Sequence, residues 1–238
     1  MDMTLNEHQL MIQDLARKFA QTELAPVADK LESNDVEGQS GREIYLANLK
    51  ILAELGFMGL NIDSRYGGTE AGTVNFSLAI TEIAKACAST AVTMSVNNMV
   101  AEVIQVVASE EQKEKYLPKL CSGEYPAGCF CLTETTAGSD PSNMKTSAVL
   151  DGDEWVLNGS KQFISSAEYA GVFIVWAVTD KSLSRGKGIS CFLVEKDVRG
   201  LSVSKAEEKM GQHASSTNEV VFDNCRIPKD ALMGELNQ

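Results

Sequence analysis

Phe130-Cys131-Leu132-Thr133-Glu134-Thr135-Thr136-Ala137-Gly138-Ser139-Asp140 is the stretch whose residue types and spacing best suit ligand chemistry. Phe130 and Leu132 lie two residues apart and share one face of a strand, with Cys131 and Thr133 on the other. Thr133 then carries a hydroxyl to the strand's end, beside a turn. Ala137, Gly138 and Ser139 have little or no side-chain bulk, so a diphosphate could approach their N–H groups and the Ser139 hydroxyl without a lysine. Local spacing alone does not overturn the plainer reading, a strand entering a polar hairpin loop.

Other reactive residue types give less. The six cysteines, at 87, 121, 129, 131, 191 and 225, form no CxxC pair and no disulfide framework, and His8 and His213 complete no zinc ligand set, so no metal is expected. Cys129 and Cys131 read as small core residues on one strand face. Reduced thiols imply an intracellular, cytoplasmic protein. Within Lys181–Gly188, Arg185 or Lys187 could meet phosphates, although a solvated basic loop explains them as well.

The elements that must position these residues fall into two classes. Up to Gly123 the pattern is helical. Thr4-Leu5-Asn6-Glu7 fits a capping box, Leu10, Met11, Leu15 and Phe19 follow at helical spacing, and Pro26 interrupts. A second helix runs from about Arg42 to a stop at Gly56, and Tyr66-Gly67-Gly68 is a turn. Thr73–Cys87 and Ala91–Ala108 suit largely buried helices, in which Thr93, Ser95, Asn97, Asn98 and Glu102 are candidate pocket-lining groups beside the plainer reading of locally bonded positions. Ser109–Gln112 opens another helix with a capping box. From Tyr125 onward short strands and tight turns take over. Asp151-Gly152-Asp153 joins two of them as a hairpin, and strands follow at 172–178, 189–194 and 219–222. The expected fold class is α+β: an N-terminal all-helical domain over 1–123, then a small antiparallel β-barrel over 124–238.

At 238 residues, 44% hydrophobic and 23% charged, the chain can bury a core. Its net charge of -12 argues against nucleic acid or an anionic membrane as partner. No signal-peptide pattern or run of about 18 apolar residues occurs, so no membrane insertion is expected.

The Phe130–Asp140 segment resembles the flavin-binding strand and loop of the acyl-CoA dehydrogenases, approximately aromatic-x-apolar-T-E-P-x-A-G-S-D, with Thr135 where the family usually has proline. Asn158-Gly159-Ser160-Lys161-Gln162-Phe163-Ile164-Ser165 resembles the family's N-G-x-K-x-[W/F]-I-[T/S], and Tyr66-Gly67-Gly68, Glu111–Glu124 and Met210-Gly211-Gln212-His213 also resemble family segments, with His213 where arginine is commoner. The resemblance covers essentially the whole chain. It implies FAD as cofactor, with Phe130, Leu132 and Thr133 against the flavin ring, Gly138 and Ser139 at the loop, Ser139 also reaching the coenzyme A part of the substrate, and Phe163, Ile164 and Ser165 over another face or edge. The implied reaction is α,β-desaturation of an acyl-CoA thioester, with electrons passed to an electron-transferring flavoprotein and the intact protein forming a homo-oligomer.

Family members continue with a C-terminal helical bundle that carries the catalytic glutamate. This chain stops at Gln238, where that bundle should begin, so no catalytic residue is assigned to it. The expectation is a truncated acyl-CoA dehydrogenase, inactive alone. The alternative is a naturally shortened, non-catalytic flavin- or acyl-CoA-binding or interaction module, and an oxygen-using acyl-CoA oxidase is a lesser possibility within the enzyme class.

Overall fold

The computed structural model describes residues 4–33 and 39–237. They form two compact units, each assembled from three stretches of chain. The first takes the residues up to Glu102 together with Leu117–Pro126 and Lys209–Ser215. It is helical, with α1 (Glu7–Phe19), α2 (Ala28–Glu32), α3 (Gln39–Glu54), α4 (Thr73–Ala86) and most of α5 (Ala88–Val107).

The cap of α1 is Asn6 rather than Thr4: the Asn6 side chain accepts from the Gln9 N–H at 2.8 Å and the Gln9 side chain accepts from the Asn6 N–H at 2.9 Å. Thr4 and Asn6 each head a pattern with Glu or Gln three residues later, and asparagine is the better cap of the two. A wide turn and a tight one, around Pro26, separate α1 from α2, because proline has no N–H to continue a helical ladder. The stop after α3 is Gly56, whose φ of 80° favours glycine. Polar residues of α5 are used in packing. The Asn98 side chain accepts from the Leu60 N–H and donates to the Phe57 carbonyl, both at 2.9 Å. Asn97 donates to the Met58 carbonyl at 2.8 Å, and Thr93 lies 2.7 Å from the Tyr45 hydroxyl.

The second unit takes Val103–Tyr116, Ala127–Glu208 and the residues from Ser216 onward. Its strands are β1 (Ala127–Cys131), β2 (Ser147–Asp151), β3 (Glu154–Ser165), β4 (Ala170–Val178), β5 (Ile189–Glu195), β6 (Leu201–Val203), β7 (Thr217–Pro228) and β8 (Leu232–Met233). They form one sheet in the order β6-β7-β3-β2-β4-β5-β8, with β1 beside β4. The barrel expected from the strand spacing is therefore an open sheet, and it is mixed, since β1 and β2 both pair with β4 in parallel. Alternation of apolar residues reports a strand but not its partner or direction, and the long connection from β1 to β4 permits the parallel pairing. The hairpin at Gly152 forms as read, with Asp151 opposite Glu154.

The core of this unit includes Cys129, Cys131, Leu157, Phe173, Phe192 and Phe222, all fully or nearly fully buried. Trp155 meets Phe192 edge-on at 5.1 Å. The capping box at the start of α6 (Glu110–Ser122) also forms, and the Gln112 amide ties it to the Asp230 and Leu232 carbonyls at 2.8 and 3.0 Å. Among the described residues no helix is long and apolar enough to cross a membrane.

Candidate functional site

Strand β1 ends at Cys131, whose side chain points into the core, leaving Phe130 on the opposite face, where its ring lies 4.3 Å from that of Trp176 on β4. Leu132 and Thr133 continue the chain beyond the β4 ladder, and their carbonyls are taken by consecutive residues of β3. The Lys161 ammonium donates to the Leu132 carbonyl at 3.1 Å, and the Gln162 N–H donates to the Thr133 carbonyl at 2.8 Å. The two segments singled out in the sequence therefore lie side by side.

Beyond Thr133 the chain closes a tight turn, with the Glu134 N–H on the Ala137 carbonyl at 3.0 Å and the Ala137 N–H on the Glu134 carbonyl at 3.1 Å. Thr135 occupies the second position of that turn, where a proline would preset φ. A second turn follows, in which the Asp140 carboxylate accepts from the Ser142 N–H at 3.1 Å and Met144 N–H donates to Pro141 at 3.1 Å. Gly138 and Ser139 span the gap between the two turns and are exposed. Their N–H groups, the Thr133 N–H and the hydroxyls of Thr133 and Ser139 have no hydrogen-bond partner among the described residues. A Cβ at Gly138 would meet nothing within 4 Å. This donor set, with no cation in it, fits the hydrogen-bond acceptors of a flavin edge or a diphosphate.

On β3 the pairing with β7 shifts register between Lys161 and Ile164. The bulge places Phe163 at φ 59°, a conformation that costs a side-chain-bearing residue energy, and turns its ring outward so that it is 64% exposed. Ile164 is 2% exposed and belongs to the core, which leaves only its backbone to the site. Ser165 is half-buried opposite Thr217, and its carbonyl accepts a weak bond from the Cys129 thiol.

Beneath this surface lies a buried ion pair. The Lys161 ammonium is 2.8 Å from the Glu134 carboxylate, which also accepts the N–H groups of Thr146 at 3.0 Å and Lys145 at 2.5 Å. Burial pushes the Glu134 carboxyl up, but Lys161 and those N–H groups outweigh it and hold the carboxyl below its usual range. Burial pulls the Lys161 ammonium down against the same partner. With a carboxylate and a carbonyl as near neighbours, its three donors suit the charged form. Glu134 is thus spoken for, and the structure does not offer it as a free base.

Two family models match the chain, one described as acyl-CoA dehydrogenase, N-terminal domain, over residues 6–124, the other as acyl-CoA dehydrogenase, middle domain, over residues 129–225. The chain belongs to the acyl-CoA dehydrogenase family. Among relatives, it is 41% identical over 234 residues to the short/branched chain specific acyl-CoA dehydrogenase, mitochondrial, of Bos taurus, covering 98% of this chain and 52% of that protein. It is 39% identical over 237 residues to the acryloyl-CoA reductase (NADH) of Anaerotignum propionicum, covering 99% of this chain and 58% of that protein. The solved structure of an acyl-CoA dehydrogenase complexed with FAD from Bacillus anthracis superimposes with a TM-score of 0.87 at 34% identity, covering 98% of this chain and 38% of that one. The chain thus spans little more than half the length of these relatives, and less of the solved one.

Several features of this family member were not evident from sequence. Trp176 lies in a strand legible from sequence, but only its ring contact with Phe130 places it on the candidate face. Nothing local marks the Lys161–Glu134 pair, because Lys161 stands among the polar residues Asn158, Ser160 and Gln162 of β3 and its partner lies 27 positions away. Arg185, a candidate for coenzyme phosphates, pairs with Asp140 at the end of the Ala137–Asp140 loop. His213, standing where the family more often has arginine, is held by the end of α2: Nδ1 lies 2.5 Å from the Glu32 carbonyl and Nε2 lies 2.8 Å from the Lys209 carbonyl.

Proposed function

We propose that this chain is the flavin-binding part of an FAD-dependent acyl-CoA dehydrogenase that desaturates an acyl-CoA thioester between its α and β carbons and passes the electrons to an electron-transferring flavoprotein. The observation that carries the reading is the junction of Thr133 and Phe163, an unpartnered donor group and an outward aromatic brought onto neighbouring segments by the Gln162–Thr133 hydrogen bond of 2.8 Å. FAD would be held by Phe130, Leu132 and Thr133, by Gly138 and Ser139 at the loop, and by Phe163 with the Ile164 backbone and Ser165. Ser139 would also reach the coenzyme A part of the substrate.

When bound, FAD supplies the hydride acceptor that no side chain can provide. The residues of this chain bind and orient. Thr133 offers its N–H and hydroxyl to the acceptor edge of the flavin, and the Phe163 ring covers the site against water. Glu134, the carboxylate next to Thr133 in sequence, is committed to Lys161, so we assign the general base to no residue of this chain. In this reading the helical part passes to the β part near Gly123, and the six free, buried thiols suit a reducing compartment such as the cytoplasm.

Visible absorption tests the reading. The 238-residue chain should retain FAD after desalting, and short acyl-CoAs added anaerobically should leave the flavin oxidised. Loss of all flavin would remove the cofactor site from this chain, and bleaching would mean that a base is present in it. A second reading, favoured by the 39% identity to an acryloyl-CoA reductase (NADH), runs the same site towards reduction of an α,β-unsaturated acyl-CoA. Flavin reduction by NADH in the full-length protein, without an acyl-CoA, would select it.

A further inference from the structure

Lys161 is fully buried and Glu134 nearly so. The Lys161 ammonium lies 2.8 Å from a Glu134 carboxylate oxygen, 3.1 Å from the Leu132 carbonyl and 3.8 Å from the Met144 sulfur. Such a pair is a weak source of stability, because desolvation of the two charges cancels much of their attraction and apolar residues of similar volume often serve packing as well or better. What apolar residues cannot do is donate to the Leu132 carbonyl. The ammonium does so from the residue next to Gln162, whose N–H holds the following carbonyl, that of Thr133, at 2.8 Å. With both carbonyls held by consecutive residues of β3, Leu132 and Thr133 are fixed beside that strand, and the Thr133 N–H has no partner among the described residues. The same lysine stands at the start of the bulge that turns Phe163 outward. Glu134 completes the arrangement, since its carboxylate is itself located by the N–H groups of Lys145 and Thr146.

We propose that Lys161 and Glu134 are positioning residues of the flavin site, a buried clasp that holds the Phe130–Thr133 segment and the Phe163–Ser165 segment in the register that FAD requires. This rests on the FAD reading above and goes beyond it. The pair touches neither cofactor nor substrate and acts by setting the Leu132 carbonyl, and through it the Thr133 donors, before FAD arrives. A preformed edge binds a cofactor without ordering cost, which is lost when its supporting contacts are removed.

The test uses the full-length protein and FAD as titrant, followed by quenching of flavin fluorescence at a temperature well below unfolding, with urea unfolding of each apoprotein alongside. The double variant Glu134→Gln/Lys161→Met removes both charges while keeping similar volumes, so neither is left buried and alone. It should unfold cooperatively, yet bind FAD about tenfold to a hundredfold more weakly, by analogy with the loss seen when the hydrogen-bond partner of a metal-ligating residue is removed. The flavin that does bind should show altered vibronic structure in its visible band, which a change in stability alone would not produce. Glu134→Gln alone, which leaves Lys161 able to donate to Leu132, should lose less. Wild-type affinity and spectrum in a folded double variant would overturn the proposal. Should that variant fail to fold, Glu134→Asp, which keeps both charges but withdraws the carboxylate by one carbon, takes its place: weakened FAD binding with an altered spectrum is expected, and wild-type binding overturns the idea. A wild-type protein that binds no FAD would instead sink the cofactor reading itself.

Discussion

Replacing Phe163 by glycine separates what that residue does for the fold from what it does for a ligand. At φ 59° the backbone is in the left-handed region, which costs a residue with a Cβ roughly 1–2 kcal/mol and glycine nothing. Against that relief, glycine brings an entropic loss of about 0.5–1 kcal/mol. Full burial of a phenylalanine side chain is worth about 1.5–3 kcal/mol, and only about a third of this one is buried, so its lost contacts cost roughly 0.5–1 kcal/mol. The sum lies near zero. Phe163→Gly should therefore shift the urea stability of the apoprotein by less than about 1 kcal/mol. The adjoining Ile164→Ala, which empties a core position, should cost about 2–5 kcal/mol. For FAD the order reverses in kind: losing an aromatic contact worth about 0.5–1.5 kcal/mol should weaken binding roughly twofold to tenfold. A Phe163→Gly apoprotein destabilised as severely as Ile164→Ala would show that the ring is a core element. Unchanged FAD affinity would show that the strained, outward aromatic does not cover the cofactor.

Three further predictions rest on single features. Gly138→Ala should leave stability within about 0.5 kcal/mol of wild type, since its Cβ enters open space, while weakening FAD or acyl-CoA binding; isothermal titration beside thermal unfolding checks both. His213 has a carbonyl before each ring nitrogen, first that of Glu32 and then that of Lys209, which favours the doubly protonated ring and raises its pKa above the unfolded value. Its stabilising contribution is then fully present below the unfolded histidine range and is lost as pH rises through the raised folded value. The neighbouring charges are the Glu32 carboxylate, 4.0 Å from Nδ1, and Lys209, and urea midpoints across that window should flatten in His213→Gln. Finally, burial drives the Cys131 thiol up to about 12 and the Cys121 and Cys225 thiols to about 11, so native protein at mildly alkaline pH should resist alkylation that urea permits, as intact mass would report.

Local chemistry was legible where the structure depends on neighbours in sequence. The stop at Gly56, the Gly152 hairpin and the Ser109–Gln112 cap each need only a few adjacent residues, and each formed as read. The first cap moved by two residues because Thr4 and Asn6 offer overlapping versions of one pattern. What escaped the sequence depends on register between distant strands: the open, mixed sheet, the bulge that turns Phe163 outward and the partner of Lys161. The polar residues of α5 escaped for a related reason. Asn97 and Asn98 look available on a helix until the Phe57–Leu60 turn arrives to use them.

The two units do not follow one another along the chain. It passes between them five times, after Glu102, Tyr116, Pro126, Glu208 and Ser215, so the helical unit includes a segment, Lys209–Ser215, flanked on both sides by the β unit. During synthesis the helices emerge first but cannot reach their final state until that segment follows. Ala127–Glu208 must be made in between, which at about 5–20 residues per second takes on the order of ten seconds. For that interval the Glu32 carbonyl lacks its His213 donor. A nascent chain stalled before Lys209 should therefore carry a protease-sensitive helical unit, and one released past Ser215 a protected one. The order of manufacture, and not only the finished fold, is written into where this short segment sits.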